Sequence, residues 1–341
     1  MLIKLYKKKA PQRIKNFLLT NQPKPYLWVK NVVYREKKKY FGRKNPDITF
    51  YVVRTIPQYT GAGLASIYLH VLGHIIIALE RNLIPVVDME NYKTHYNEED
   101  LINNTKNSWE YYFKQPSDYS LSEVYESKSV ILSSLDFPRK TIIYQDLNES
   151  SGLVPLLLDD EKVRVFHDYI VKNILLNEST YSYITEKTKS IILKDRKILG
   201  VAARGTDYTS LRPKGHHIQP SVEHLIEMTA EKVVAWNIDY IFLMTEETTI
   251  IERFEQAFSD KVLTAERYRH TDFNSESFVM FKSFERENDK YNTGLEYLTE
   301  IVILSQCHYF LGAISGGVVV AMFMNGGRYE GKHIIDLGLY P

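Results

Sequence analysis

Three scarcities limit what this chain of 341 residues can be. Cysteine occurs once, as Cys307, so no disulfide can form within the chain and a reducing cytoplasm is the expected compartment. No apolar run approaches the ~20 residues of a spanning helix, and no signal peptide with a small-residue cleavage site is visible. The pair Asp-x-Asp, which holds a divalent metal in many transferases, occurs nowhere.

The composition is that of a globular protein, but its charge is unevenly distributed. Hydrophobic residues make up 44% and charged residues 25%, and the length suggests two domains of roughly 150 residues each. Residues 1–45 hold 14 Lys and Arg against the single acid Glu36. This basic arm could contact an anionic membrane surface, or it could be a solvated segment. We expect no nucleic-acid partner, because no nucleic-acid motif accompanies it.

Short β-rich runs alternate with longer helical patterns, which predicts parallel sheets built from βαβ units. The predicted strands are 49–54, 84–88, 129–134, 197–203, 239–244, 261–265, 308–313 and 332–337, and the clearest helices are 63–82, 221–236 and 294–306. We therefore expect two doubly wound Rossmann-like domains that face each other across a cleft. The predicted divisions are an arm at 1–45, an acceptor-side domain at 46–190 and a donor domain at 191–341.

A polar, aromatic stretch at 89–128 interrupts the alternation, and long irregular insertions in α/β proteins often bind ligands. Asp88 and Glu90 at its start could supply a carboxylate, and Tyr92 and His95 could form part of a stacking surface. Ordinary packing of aromatic side chains is the alternative. These four residues are the predicted acceptor-side group.

The segment "GAGLAS" at 61–66 precedes a predicted helix and resembles a dinucleotide fingerprint. The match is incomplete, because Ser66 takes the place of the third glycine and "TIPQYT" separates the strand from Gly61. An NAD(P)- or flavin-dependent oxidoreductase is one reading, and a close-packing loop is another. In a third, the amides around Gly61 and Gly63 face a ligand from across the cleft.

Arg204 ends the hydrophobic run "ILGVAAR" and is the strongest candidate for a ligand contact. Ligands of open parallel sheets bind at the carboxyl ends of the strands, and a buried guanidinium there needs an anionic partner. A salt bridge to Asp207 or another carboxylate would satisfy it. However, Arg212, Lys214, His216 and His217 follow closely, and this set of donors suits a diphosphate.

Two further strand ends carry complementary groups. Thr245, Glu246 and Glu247 follow the strand at 239–244, where carboxylates could accept hydrogen bonds from a base or a ribose. Ser315, Gly316 and Gly317 stand at a predicted helix start, which offers free amides to an anion. A surface turn and a close-packing glycine turn are the respective alternatives.

Three of these stretches resemble the donor-domain motifs of the fucosyltransferase superfamily that uses GDP-fucose, namely "VAARGTDY", "IFLMTEE" and "GLEYLTEIVILSQCHYFLGAISGGVVVAMF". The resemblance covers about 196–325. It implies a GT-B fold and an inverting, metal-independent sugar transfer, with Arg204 on the β-phosphate, Glu246 and Glu247 near guanine or ribose, and Ser315 with Gly316 at the phosphates. The family often has two adjacent arginines, whereas Gly205 follows Arg204 here.

The sequence therefore predicts a glycosyltransferase that moves a sugar, expected to be fucose, to a glycan or lipid-linked oligosaccharide of a surface polysaccharide. Neither a metal nor another cofactor is expected. The general base stays open between Asp207, the histidines His216 and His217, and the carboxylates Asp88 and Glu90. Alternatives are a transferase for another nucleotide sugar, a non-catalytic nucleotide- or carbohydrate-binding protein, and an oxidoreductase.

Overall fold

A computed structural model describes residues 34–55, 62–136, 138, 150–270 and 283–341, with the backbone alone at 150, 151, 206 and 207. These residues form two α/β units, each built on a mainly or wholly parallel sheet. The α/β architecture predicted from the alternation of strands and helices is confirmed.

The first sheet has four strands in the order β1-β4-β2-β3. Strands β2, β3 and β4 run parallel, and the short edge strand β1 runs antiparallel to β4. Their bounds are β1 Lys37–Lys39, β2 Lys44–Val53, β3 Ile84–Val87 and β4 Ser127–Leu132. The three predicted strands of this half are confirmed. The predicted arm overlaps the sheet, because β1 and the start of β2 fall before residue 46, and residues 1–33 lie outside the described part.

The first helix, α1 (Leu64–Glu80), connects β2 to β3 and confirms the helix predicted at 63–82. Its sequence "LASIYLHVLGHIIIALE" is apolar on almost every face, which is typical of a helix with neighbours on all sides. Most of its residues are buried, and it packs against β2, β3 and helices of both units. The helix therefore forms part of the interior between the two sheets.

The second sheet has five parallel strands in the order β7-β6-β5-β8-β9. Their bounds are β5 Ile198–Ala202, β6 Tyr240–Met244, β7 Val262–Leu263, β8 Tyr309–Ala313 and β9 Gly331–Ile335, which confirms all five predicted strands. Strands β5 and β8 are buried throughout, as continuous apolar runs predict for a sheet covered on both faces. The strand order reverses between them, and this switch point is where open α/β sheets bind ligands.

Helices cover both faces of the second sheet. They are α6 Thr206–Leu211 and α7 Val222–Ala235 between β5 and β6, α8 Thr248–Phe258 before β7, α9 Asp289–Gln306 before β8, and α10 Gly316–Asn325 before β9. The helices predicted at 221–236 and 294–306 are confirmed, although α9 begins five residues earlier than predicted. The unit is therefore doubly wound.

Three helices join the units: α3 Ser150–Leu158, α4 Asp160–Asn173 and α5 Glu178–Lys189. Helix α4 packs on α1 and α10, where Phe166 stacks on Phe323 with ring centroids 4.2 Å apart, and α5 packs on α9. One hydrophobic core consequently contains side chains from both sheets. Each sheet also has one smaller hydrophobic cluster on its outer face.

The insertion between β3 and β4 is irregular, as predicted, apart from the single turn of α2 (Leu121–Val124). Its aromatic residues Trp109, Tyr111, Tyr112 and Phe113 are at most 1% exposed, so they belong to the core rather than to a sugar-binding surface. No helix among the described residues combines the length and the apolar character that crossing a bilayer requires.

Candidate active site

A cleft lies where the carboxyl ends of β5, β6 and β8 meet the amino ends of α1 and α10. Its cavity has a volume of ≈ 120 Å³, which is ample for several water molecules or a small anionic group. The side chains that line it come from both units: Gly63, Ala65, Ser66 and Tyr96 from the first, and Arg204, Tyr208, Glu246, Arg267, His270, Phe284, Thr293, Tyr297, Ser315 and Gly316 from the second. The cleft is thus built at the switch point of the second sheet.

Arg204 stands two residues beyond β5 and lines this cleft. Its Nη1 forms an ion pair with Glu246 Oε1 at 3.1 Å, and its guanidinium lies over the Tyr208 ring at 4.7 Å from the centroid. The side chain keeps 18% of its surface exposed. The structure therefore gives Arg204 a carboxylate partner and, beside it, a space of anionic-group size.

Of the three predicted residues after β6, Glu246 lines the cleft, whereas Thr245 and Glu247 support it from behind. Thr245 is fully buried, and its carbonyl oxygen accepts a hydrogen bond from Arg269 Nε at 3.2 Å. Glu247 is 3% exposed and begins α8 as its N-cap residue. Of the three, the structure therefore places the side chain of Glu246 at the cavity.

The buried side chain of Glu247 leaves no room for a side chain at Gly205. A Cβ atom at Gly205 would lie 2.2 Å from Glu247 Oε1 and 2.8 Å from its carboxyl carbon, so any side chain there would have to displace a buried carboxylate. The glycine after Arg204 thus follows from the packing of the strand ends, and this loop cannot supply a second arginine without moving Glu247.

The amino end of α10 faces the cleft, as predicted for Ser315 and Gly316. Ser315 Oγ accepts a hydrogen bond from Val318 N at 3.4 Å and so caps the helix. A Cβ at Gly316 would lie 3.3 Å from the Cβ of Ala65 in α1, which brings two helix starts together. Gly317 does not line the cleft; a Cβ there would lie 2.4 Å from the Tyr297 hydroxyl, so this glycine permits close packing of α10 on α9.

The segment "GAGLAS" meets the same cleft from the first unit. Gly63 is the N-cap residue of α1 and lines the cavity, and the amide of Leu64 donates to the Tyr96 hydroxyl at 3.0 Å. Gly61 lies outside the described residues. The segment thus contributes Gly63, Ala65 and Ser66 to the wall of the cleft.

The predicted acid-base residues are dispersed. Asp207 belongs to α6, and its side chain is not among those described. His217 is buried and is not among the residues that line the cleft. His216 is exposed, and its Nδ1 lies 3.3 Å from the hydroxyl of Tyr208, whose ring lines the cleft. Partial desolvation by its neighbours, together with the nearby charge of Arg204, lowers the pKa of His216.

The predicted acceptor-side residues are not gathered at the cleft. Asp88 is fully buried, and its carboxylate accepts hydrogen bonds from the amides of Glu90 and Asn91, from Asn91 Nδ2 and, at 2.6 Å, from the Tyr125 hydroxyl. It therefore organises the turn after β3. The side chain of Glu90 is exposed.

Tyr92 and His95 differ in their distance from the cleft. Tyr92 lies under the Arg54 guanidinium, with 5.5 Å between the guanidinium and the ring centroid, and does not line the cleft. His95 packs on Tyr96, a cleft residue, with ring centroids 4.0 Å apart. Burial lowers the pKa of His95 to about 4, and the charge of Lys290 acts in the same direction. Of the four residues, His95 is the one in contact with the cleft wall.

Sequence reasoning missed a network of buried charges behind the cleft. Glu300 of α9 is fully buried and accepts hydrogen bonds from Arg267 Nη1 at 2.5 Å and Arg269 Nη2 at 3.2 Å. Arg286 pairs with Glu296, one turn earlier on α9. The signal was present, because two glutamates four residues apart interrupt the apolar pattern of "GLEYLTEIVIL", and buried carboxylates need cationic partners.

Two aromatic rings close one side of the cleft. His270 stacks on Phe284 with ring centroids 4.6 Å apart and planes inclined by 19°. His270 also pairs with Glu247 in an isolated parallel bridge, which holds the segment after β7 against the end of β6. No sequence motif marked either residue.

These described residues define an α/β protein with two Rossmann-like units and a cleft between them, the arrangement that the sequence led us to expect of a GT-B fold. No protein-family model and no curated protein matches the chain. Solved structures with a similar course of the chain include three fucosyltransferases.

The fucosyltransferase NodZ from Bradyrhizobium is 12% identical, with 80% of this chain and 92% of that chain covered and a TM-score of 0.44. POFUT1 in complex with GDP-fucose is 9% identical, with 85% and 98% covered and a TM-score of 0.43. FUT1 of Arabidopsis thaliana, in complex with GDP, is 11% identical, with 81% and 68% covered and a TM-score of 0.42. Likeness at this level assigns no activity to this chain, and the residues of the cleft carry the function proposed next.

Proposed function

We propose that this protein is a glycosyltransferase that uses a nucleotide diphosphate sugar. The observation that carries the proposal is the position of Arg204, at the switch point of a parallel sheet, opposite the amino end of α10 and beside an anion-sized cavity. A guanidinium and helix amides aimed at one small space suit a diphosphate, because both are preorganised donors for its oxygen atoms.

In the proposed reaction, the bond between the anomeric carbon and the diphosphate oxygen breaks, and the electron pair stays on the diphosphate. An acceptor hydroxyl oxygen bonds to the anomeric carbon from the opposite face, so the configuration of that carbon is inverted. The proton of the hydroxyl passes to a base. Arg204 and the α10 amides stabilise the charge that develops on the leaving diphosphate. Because Arg204 now pairs with Glu246, donor binding exchanges that carboxylate for a phosphate oxygen and releases Glu246 for a hydroxyl or a base nitrogen.

The finer assignments belong to the same proposal. GDP-fucose is the proposed donor, because the three motifs that resemble the fucosyltransferase superfamily contain Arg204, Glu246, Ser315 and Gly316, which line the cleft. The acceptor is a glycan or a lipid-linked oligosaccharide of a surface polysaccharide, and the basic arm would contact the membrane that carries it. Asp207 is the first choice for the base, and His216 is the second.

A thermal-denaturation panel with GDP, UDP, CMP and NAD(P), each without divalent metal, tests the proposal. A ligand that binds only the folded state raises the free energy of unfolding, by about 2.7 kcal/mol at 100 times its Kd. We expect GDP to raise the Tm and NAD(P) to leave it unchanged. Stabilisation by UDP or CMP alone would retain a nucleotide-sugar site and remove the fucose assignment, whereas no response to any nucleotide diphosphate would remove the function.

A further inference from the structure

We infer that Arg267 is a second guanidinium of the cleft, and that together with Arg204 it makes the site selective for a diphosphate over a single phosphate. The inference rests on the proposed function. It assigns a ligand contact to a residue that no strand end and no sequence motif indicated.

Arg267 reaches the cleft from a different element than Arg204. It lies in the segment that follows β7 and leads to His270, which the bridge to Glu247 holds at the end of β6. Arg204 enters from the end of β5, the neighbouring strand. The two arginines therefore line one cavity from adjacent positions along the edge of the sheet.

The hydrogen bonding of the Arg267 side chain is incomplete at a buried atom. Its side chain is 7% exposed, and its Nη1 donates to Glu300 Oε2 at 2.5 Å. Its Nε, which is also buried, has no hydrogen-bond partner among the residues that the structure describes. A buried donor without an acceptor is costly, so natural structures rarely keep one unless a ligand or water completes it.

Three carboxylates, Glu300, Glu246 and Glu296, stabilise the charge of Arg267, but each also serves another guanidinium group. Glu300 is shared with Arg269, whose Nη2 contacts Oε1 at 3.2 Å, so one carboxylate serves two guanidinium groups. Among the ionised side chains that line the cavity, Arg204 and Arg267 face the single carboxylate Glu246. The cationic groups therefore outnumber the carboxylates at the cavity wall, which favours an anionic ligand there.

Both cations act on the same part of the cavity wall. Burial raises the pKa of the Tyr96 hydroxyl to about 12, while the charges of Arg267 and Arg204 lower it, which places both guanidinium groups within electrostatic reach of one cleft residue. Gly205 cannot provide the second cation, because Glu247 fills the space of its side chain. An arginine from the next segment along the sheet edge does so instead.

Inorganic pyrophosphate and orthophosphate are the probes, measured by isothermal titration calorimetry on the full chain without divalent metal. We expect the wild type to bind pyrophosphate more tightly than orthophosphate. Arg267→Gln should weaken pyrophosphate binding by about 10- to 150-fold, the usual effect of losing a charge-assisted hydrogen bond, and should reduce the preference for pyrophosphate. Glu300 would keep Arg269 as its partner, so this variant should retain the fold.

Two further variants make the result specific. Arg267→Lys keeps the charge but lacks the Nε donor, and we expect it to bind pyrophosphate several-fold more weakly than the wild type. Arg253→Gln removes the same charge from an exposed ion pair between α7 and α8 and should bind like the wild type. Pyrophosphate binding within twofold of wild type in both Arg267 variants would overturn the inference and leave the proposed function standing. A wild type that binds neither GDP nor pyrophosphate would overturn both.

Discussion

At the scale of single residues, Arg204 shows how a strand end can serve both the fold and a ligand. The guanidinium pairs with Glu246 at 3.1 Å, so it is not an unpaired buried charge in the unliganded protein. The side chain keeps 18% of its surface exposed and lines the cavity. The sequence suggested a salt bridge to Asp207 or to another nearby carboxylate, and Glu246 is such a carboxylate. Its place beside Arg204 depends on how β5 and β6 are aligned, which a single sequence does not encode locally.

Replacing Arg204 by glutamine should lower kcat/KM by about 100-fold or more, because one donor aimed at developing charge contributes about 2.7–4 kcal/mol to transition-state stabilisation. Steady-state transfer assays with the donor that the thermal panel identifies would measure it. Arg196→Gln is the matched control, since Arg196 pairs with Asp239 at the opposite end of β5 and is exposed. Activity of Arg204→Gln within twofold of the control would remove Arg204 from the mechanism.

Asp88 should prove structural rather than catalytic. Its carboxylate organises the turn after β3 and accepts a 2.6 Å hydrogen bond from Tyr125. Asp88→Asn should therefore lower the free energy of unfolding by about 1–3 kcal/mol, measured in urea, and leave the acidic limb of the pH-rate profile in place. A variant with normal stability and no acidic limb would instead identify Asp88 as the base.

At the scale of elements, the amino end of α10 depends on how closely the helix approaches α9. Gly317→Ala would bring a methyl group to about the position 2.4 Å from the Tyr297 hydroxyl, so one of the two helices must shift. We expect a loss of about 1–3 kcal/mol in unfolding free energy, as for overpacked cores. Tyr297→Phe removes the hydroxyl, and in that background the same glycine substitution should cost measurably less. Equal costs in both backgrounds would contradict this contact.

The strands were predictable from the sequence because each is a short apolar run bounded by polar residues, and the second sheet is buried on both faces. Arg204, Glu246 and Ser315 were predictable for a related reason, since the carboxyl ends of parallel strands meet at one edge. Arg267, His270 and Phe284 were not, because they reach the cleft through irregular segments whose course is set by ion pairs with α9 and by a single bridge to Glu247. The buried role of Asp88 likewise depends on Tyr125, 37 residues away.

At the scale of the whole molecule, the interior between the sheets belongs to both units. Helix α4, which the predicted division assigns to the first domain, packs on α10 of the second, and the core joins side chains from β2, α1, β5 and α9. A helix from each unit lines the cleft, so the site depends on this shared core. We therefore expect a change in α1 to alter the free energy of unfolding of both units together.

Two buried histidines tie α1 to β2 within this core. His70 Nε2 donates to the carbonyl of Arg54 at 3.0 Å, and His74 Nδ1 shares a 3.0 Å hydrogen bond with the Tyr51 hydroxyl. Burial lowers the pKa of His70 to about 4, although the Arg54 carbonyl and the charge of Asp136 raise it in part. Burial and the neighbouring His70 also lower the pKa of His74. Both rings are therefore neutral in the folded protein at neutral pH.

Acid should destabilise the whole chain through these two side chains. Because their folded pKa values lie below the unfolded value of about 6.5, the unfolded state binds protons first, and the free energy of unfolding falls as pH drops from about 6.5 towards 4. For His70 alone the loss by pH 4 is on the order of 3 kcal/mol. Urea denaturation between pH 4 and pH 7.5 measures this loss as the slope of the unfolding free energy against pH. The slope counts the protons taken up on unfolding, and His70→Gln should lower that number by close to one. If the free energy of unfolding has the same pH slope in the wild type and in His70→Gln, His70 binds protons equally well in the folded and unfolded states. That result would contradict this account.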